Sequence, residues 1–243
     1  MTYCVGIKLA DGIVLLSDTR TNAGVDDIAQ FTKMFTWENP KERVIALAAS
    51  GNLSITQGVT NHISRALARA ATDDNLETLL NCDSMYRAAE LVGLAMREQR
   101  RKYFDGQTQS DKLYAATILL AGQRRGGRPR LFMVYAEGNF VEATDDTPFL
   151  QIGEIKYGKP ILDRVIQPRT SLDDAIKAAC LSMDSTLRSN LSVGMPLDLV
   201  VFKTDTFAFA KRRRIEAADP AFKAMSVFWS DELRTAFRKI PNV

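Results

Sequence analysis

The 243-residue chain has a single histidine, His62. A Ser-His-Asp triad needs a histidine beside its nucleophile, and a histidine-based metal centre needs several. His62 falls inside a stretch of helical periodicity, one residue off its apolar stripe, and reads as a surface or boundary residue. Cysteines are almost as scarce: Cys4, Cys82 and Cys180 are far apart and odd in number. That pattern excludes a disulfide framework or a paired-cysteine zinc site, and reads as buried thiols in a reducing compartment. No apolar run is long enough to span a bilayer, and no charged start with an apolar segment precedes the first strand pattern. Lys and Arg number 32 against 29 Asp and Glu, a net charge of +3, too small an excess for a nucleic-acid surface. The expectation is a cytoplasmic protein with no metal, no nucleic-acid partner and no membrane.

Hydrophobic residues at 46% and charged residues at 25% are ordinary globular values. A chain of this length fits one large domain or two small ones, and a single domain over residues 1–243 with a substantial core is the expectation. The informative stretch is the first. Thr2 follows the initiator methionine, a position at which small residues are commonly uncovered by trimming. A bare Thr2 carries a hydroxyl and a free α-amine on one residue, and an α-amine titrates near ~7.7–8.0, so it can take a hydroxyl proton at cellular pH. A threonine in second position is also frequent without any such role, so its neighbours decide. Residues 3–9 and 13–16 are β-branched and apolar runs flanking Ala10-Asp11-Gly12, a hairpin signal. In an antiparallel hairpin the end of the second strand returns to the start of the first, which sets Asp18 beside Thr2. Lys33 opens the next apolar stretch, residues 33–37. An ammonium paired with a carboxylate near a hydroxyl lowers the cost of forming an alkoxide.

Further along, Asn22-Ala23-Gly24 reads as a turn, residues 25–32 as a short connection, and 33–37 and 43–49 as strands. Ile55, Val59, Ile63 and Leu67 recur at steps of four and predict a helix. Ser50-Gly51-Asn52 therefore sits at a strand-to-helix junction, where free N–H groups and the helix dipole suit an oxyanion. An ordinary glycine junction with an Asn or Ser cap fits the same residues. A short helical piece is expected over 76–80, a long helix over 84–103, and a polar loop over 105–111. Strands over 114–121 and 130–135 flank a basic turn at 123–129 that reads as a solvated tip. Shorter strands follow at 140–143 and 149–153. Ser171 opens a helix with Leu172, Ile176, Ala179, Met183 and Leu187 on its buried face. A polar loop at 188–194, a strand at 197–203 and another at 207–210 come next. The run Lys211-Arg212-Arg213-Arg214 reads as a solvated edge or a contact for an acidic neighbour. The last helix, 220–240, carries Phe222, Met225, Phe228 or Trp229, Leu233 and Phe237, more aromatic content than a solvated helix needs.

The ordered set Thr2, Asp18-Thr19-Arg20, Lys33 and Ala48-Ala49-Ser50-Gly51-Asn52 resembles the β-type subunits of the proteasome, which are N-terminal-nucleophile hydrolases. Met1-Thr2-Tyr3-Cys4-Val5 and the stretch from Ser17 to Asp26 are similar to the Anbu group of bacterial proteasome-related proteins. The resemblance is densest over residues 2–60, looser to about residue 203, and leaves 216–243 as a C-terminal helical extension.

The resemblance implies a four-layer αββα sandwich, two mainly antiparallel sheets between helix layers. It implies a threonine peptidase with Thr2 as nucleophile, its amine as base, Lys33 as positive charge, Asp18 as the group that fixes Lys33, and the Gly51 N–H as oxyanion donor. Ser192 fits a supporting serine, and Ser189 stands where the family has an aspartate. Substrate backbone would lie along Arg20, Thr21 and Asn22 on one side and Ala49 to Gly51 on the other, with Ala49 and Leu53 lining the pocket for the residue before the cut. Arg20 would brace Asp18 or the adjoining turn. A family serine expected near Gly153 is missing, and Glu154 is the polar residue left there. Organic cofactors are not implied. The implied partners are a peptide or unfolded protein substrate, other copies of the chain in a ring or open spiral, and an unfoldase that the sequence does not identify. Two other readings share these residues: an amidase acting on a non-peptide amide, and a catalytically silent scaffold subunit. Keeping a costly Asp18–Lys33 pair argues against silence. In every catalytic version Met1 must be removed, because its amide bond takes away the base.

Overall fold

The computed structural model describes residues 2–22, 28–103 and 115–242. The hairpin at the start forms as its turn residues dictate: β1 (Tyr3–Leu9) and β2 (Gly12–Asp18) pair antiparallel, Cys4 opposite Ser17 and Leu9 opposite Gly12. This hairpin is the centre of a five-stranded sheet. β10 (Phe149–Gly153) lies along β1, β11 (Leu197–Lys203) lies along β2, and β12 (Phe209–Ile215) forms the outer edge. The second five-stranded sheet runs in chain order: β5 (Met34–Asn39), β6 (Arg43–Gly51), β7 (Ala116–Arg124), β8 (Arg130–Val134) and β9 (Phe140–Glu142). Every pairing is antiparallel, including the small ribbon of β3 (Arg20–Asn22) and β4 (Ile28–Gln30).

Alternation along the strands sorts the side chains into three apolar layers. Tyr3, Val5, Ile7 and Leu9 of β1, with Val14 and Leu16 of β2, pack under α3 (Lys159–Val165) and α4 (Leu172–Ser189). Cys4, Ile13 and Leu15 face the other way and meet Val44, Ala46 and Ala48 of β6 in the layer between the sheets. Ile45, Leu47 and Ala49 of β6 then cover the inner faces of α1 (Leu53–Ala70) and α2 (Met85–Tyr103). The result is helices, sheet, sheet, helices: an αββα sandwich, as the family resemblance implied. The stripe Ile55, Val59 and Ile63 is the buried face of α1. α5 (Pro220–Lys239) meets the core only through Phe222 and Met225, and leaves Val227, Phe228, Phe237 and Ile240 exposed.

Several boundaries differ from the sequence reading. Residues 76–80 form turns instead of a helix; the Asn81 side chain accepts from the Thr78 N–H at 2.6 Å and donates to the Leu76 carbonyl at 2.9 Å, satisfying groups a helix would otherwise need. The connection after Asn22 contains β4, which pairs back on β3. β12 starts at Phe209 and takes in the whole basic run. Its arginines are neutralised within the chain: Arg212 by Glu38, Arg213 by Asp219, and Arg214 by Asp198 and Glu216. α4 runs on through Ser189, held in its last turn by Arg188 donating to Asp184 at 3.0 Å, so Arg188 and Ser189 are helical. β7 begins at Ala116 and ends at Arg124, inside the expected basic turn. The expected polar loop at 105–111 and the turn at 23–24 lie outside the described residues, as does Met1. Among the described residues no helix is long and apolar enough to cross a membrane.

The helix-side layer of the second sheet is tightly filled. Phe132 is fully buried there and meets Phe140 edge to face, ring centres 5.6 Å apart. Phe132→Ala is expected to lower unfolding free energy by about 3–5 kcal/mol, read as a shifted urea midpoint at unchanged slope.

Candidate active site

One end of the sandwich gathers the start of β1, the end of β2, the start of β11 and the ends of β6 and β10. Register does the gathering: Leu197 lies opposite Asp18, and Tyr3 opposite Gly153. Lys33 enters from the second sheet. It stands one residue before β5, and its carbonyl accepts from the Ala49 N–H at 3.0 Å. From there its side chain crosses to the first sheet.

Asp18 is fully buried and Lys33 is 5% exposed. Lys33 Nζ donates to Asp18 Oδ1 at 2.8 Å and to the Arg20 carbonyl at 2.5 Å. The same Asp18 Oδ1 accepts the Tyr3 N–H at 3.1 Å, and Oδ2 accepts the Gly194 N–H at 3.3 Å. One carboxylate oxygen thus joins the peptide link between Thr2 and Tyr3 to the ammonium of Lys33. Burial pushes the Asp18 carboxyl above the usual carboxylate range, while Lys33 and the two N–H donors hold it down. Thr2 is itself buried, and its carbonyl accepts the Glu154 N–H at 2.8 Å. Glu154 therefore meets Thr2 through its backbone.

Tyr3, which sequence reading passed over, anchors the strand behind Thr2. Its hydroxyl meets Ser182 Oγ of α4 at 2.5 Å and accepts from Gln151 Nε2 of β10 at 2.5 Å. Burial pushes its pKa up to about 12, so it stays a neutral hydrogen-bonding group. A buried tyrosine needs a partner for its hydroxyl, and the alternation that points Tyr3 toward α4 was the available signal.

The serine expected in this stretch could not stand at position 153 itself. Gly153 has φ +84°, and a Cβ built there would lie 1.8 Å from the Thr2 carbonyl oxygen. No side chain fits. At the other edge of the site Gly51 closes β6 with φ +104°, and a Cβ there would lie 2.4 Å from the Ala115 carbonyl oxygen. The helix cap that follows is Asn52, whose Oδ1 accepts from the N–H groups of Ser54 and Ile55 at 2.9 and 3.2 Å. Gly51 is exposed just outside that cap.

Arg20 works on the loop between α4 and β11. Its Nη1 donates to the Leu191 carbonyl at 2.8 Å, and its side chain lies so close to Gly194 that a Cβ there would be 2.2 Å from Nε. Thr19 Oγ1 fastens the same loop by donating to the Pro196 carbonyl at 2.7 Å. Ser192 stands in this loop, half-buried, its N–H donated to Asn190 Oδ1 at 2.9 Å. Its hydroxyl has no hydrogen bond to Thr2, Asp18 or Lys33. Thr21 is in β3 with a buried Oγ1 that lacks a partner among the described residues. Asn22 ends β3 opposite Ile28. Ala49 is in the core beside Ile55, and Leu53 is half-buried at the first position of α1. Thr2, Asp18, Lys33 and Arg20 are thus brought together, with Gly51, Ala49 and Leu53 on the adjoining β6–α1 corner. Ser189 is set apart at the end of α4. His62 is on the outer side of α1, paired with Glu98 of α2 at 3.3 Å.

Residues 2–202 match the family model described as proteasome subunit. A solved structure of a mutant Anbu from Hyphomicrobium sp. strain MC1 is 51% identical, covers 100% of this chain and 99% of its own, and superposes with a TM-score of 0.93. Anbu from Yersinia bercovieri, described as an ancestral beta-subunit, is 42% identical over 99% of this chain and 98% of its own, TM-score 0.91. A structure described as the helical assembly of the Anbu complex from Pseudomonas aeruginosa gives the same identity, coverage and TM-score.

The charge pair sets a testable pH dependence. Without Lys33 the folded-state pKa of Asp18 rises further above its unfolded value of about 3.9, so the native state binds more protons than the unfolded state between the two values. Stability therefore falls as pH rises through that window. The stability lost in Lys33→Ala is expected to be smaller at pH 5 than at pH 8, measured as the difference from wild type in urea unfolding. Asp18→Asn, which leaves the buried ammonium without its counter-charge, is expected to cost about 3–5 kcal/mol at pH 8.

Proposed function

The chain belongs to the proteasome subunit family and, within it, to the Anbu group, and on that premise we propose that it is a self-assembling threonine peptidase. The observation that carries this is the shared Asp18 Oδ1, which ties the backbone of Thr2 to Lys33 within one buried cluster. Removal of Met1 turns the Thr2 nitrogen from an amide into an amine. That amine takes the Thr2 hydroxyl proton, directly or through a water, and Oγ1 attacks the carbonyl carbon of a peptide bond. Lys33 uses two of its three N–H donors on Asp18 and Arg20, leaving the third to stabilise the developing alkoxide. The Gly51 N–H stabilises the oxyanion. The tetrahedral intermediate collapses as the leaving amine takes a proton from the Thr2 ammonium. Water then attacks the resulting ester, with the amine again as base, and releases the acyl product. Ser192 supports the site from its loop, a role that fits its place between Leu191 and Gly194.

The substrate is a peptide or an unfolded chain. Its backbone lies between β3 on one side, at Thr21 and Asn22, and the corner from Ala49 to Leu53 on the other. The Arg20 carbonyl is taken by Lys33, so Arg20 serves substrate binding by fixing the loop at 191–194. The burial of Asp18 and Lys33 favours a working site over a silent scaffold, since an apolar pair would cost less. Assembly with further copies fits the helical assembly described for the Pseudomonas aeruginosa relative and the exposed apolar residues of α5.

Three variants and one mass measurement test the mechanism on peptide substrates. Thr2→Ala abolishes turnover, Thr2→Ser keeps part of it, and Lys33→Ala lowers it by orders of magnitude with the fold retained. Protein shown by intact mass to keep Met1 is expected to be inactive. Equal rates for Met1-bearing and trimmed protein would remove the N-terminal nucleophile from the mechanism. Light scattering is expected to show an oligomer, and a monomer at all workable concentrations counts against the assembly.

A further inference from the structure

We propose that Ser50 is the hydroxyl that holds the Thr2 α-amine in the orientation its base role requires, an inference that rests on the threonine-peptidase reading. Alternation along β1 places Thr2 on the face of Cys4, toward the layer between the sheets. Alternation along β6 places Ser50 on the face of Val44, Ala46 and Ala48, toward the same layer from the opposite sheet. The two residues therefore face each other at the same end of the sandwich. Gly153 shows how close they come: the point where its Cβ would stand is 1.8 Å from the Thr2 carbonyl oxygen and 3.2 Å from Ser50 Oγ. Ser50 is 9% exposed, so most of the residue is covered by the surrounding site. It forms no hydrogen bond with another described residue.

A hydroxyl beside Thr2 with no partner among the described residues keeps its acceptor lone pairs available to a neighbouring amine. Residue 153 cannot supply a side chain, and Glu154 presents only its N–H to Thr2. The Ser50 oxygen is thus placed to accept one N–H of the amine, which turns the amine lone pair toward the Thr2 hydroxyl. When the amine takes the hydroxyl proton, the same oxygen accepts from an ammonium, a stronger charge-assisted bond. Ser50 keeps its own proton throughout. Its loss lowers the affinity of the amine for a proton and loosens its orientation.

The test uses protein verified by mass to begin at Thr2 and a peptide vinyl sulfone as probe. The Thr2 oxygen adds to the vinyl carbon and the hydroxyl proton ends on the carbon beside the sulfone, so the adduct carries the full probe mass. Ser50→Ala is expected to label roughly tenfold more slowly or worse, with the rate's pH midpoint moved to lower pH and the melting temperature unchanged. Ser50→Thr, which keeps the hydroxyl, restores rate and midpoint. Thr2→Ala runs beside them. Labelling that persists in Thr2→Ala, or is absent from the wild type, overturns the peptidase reading itself. A silent Thr2→Ala with wild-type rate and midpoint in Ser50→Ala overturns the Ser50 role alone. Slow labelling in both Ser50 variants with lowered melting temperatures also overturns it, assigning Ser50 to packing.

Discussion

A buried carboxylate has to be satisfied, and at Asp18 that requirement organises one end of the molecule. Its three hydrogen bonds come from three separate places in the chain: the peptide after Thr2, the side chain of Lys33 and the loop at Gly194; Lys33 in turn donates to the carbonyl of Arg20. Each partner belongs to a different element, so the charge can be buried only when both sheets and the α4–β11 loop are in place. The interaction is a poor source of net stability, since two ions leave water to make it. Its effect is positional. The strand that carries Thr2 and the lysine that lies near it are tied to one oxygen atom.

The surroundings tighten that arrangement with one further charge, the partly exposed guanidinium of Arg20. Tyr3 is bolted through its hydroxyl to α4 and β10, and Thr19 and Arg20 fasten the loop that brings the Gly194 N–H to Asp18. Gly153 lets β10 close on Thr2 at a distance that no Cβ permits. Apart from Arg20, these contacts are made by backbone groups and neutral side chains, which cost less to bury than ions.

Much of this was legible in the sequence, for reasons that can be named. A hairpin returns its second strand to the start of its first, so Asp18 beside Thr2 followed from Ala10-Asp11-Gly12 alone. Period-four spacing gave α1 and the apolar runs gave most of the strands, while their division into two stacked sheets came from the family resemblance. The failures have causes too. Arg188 and Ser189 look like loop residues, but an Arg188–Asp184 pair keeps the helix going two residues further. The four basic residues of β12 look like a break in a strand, yet each arginine finds an acid on another segment. α3 was signalled by Pro160 in its first turn, a position proline favours, and the signal was not used. The reach of Lys33 from one sheet to the other, and the meeting of Ser50 with Thr2, are consequences of how the sheets stack. No local period records that.

The scarcity of histidine takes on a sharper meaning once the pair is placed. His62 is on the outer side of α1, engaged with Glu98, so no imidazole serves the site. Lys33 gives two of its N–H groups to oxygen acceptors, which commits it to the role of a donor. Asp18 already accepts from three donors and is sealed from solvent. In the proposed mechanism the base must therefore travel with the nucleophile, and an amine on the same residue is the one group that does so without another buried charge. That places the whole burden on the orientation of a small, freely rotating group at the end of a chain. A strand anchored at the very next residue, by Tyr3 N–H and Tyr3 hydroxyl together, is the physical answer to that problem.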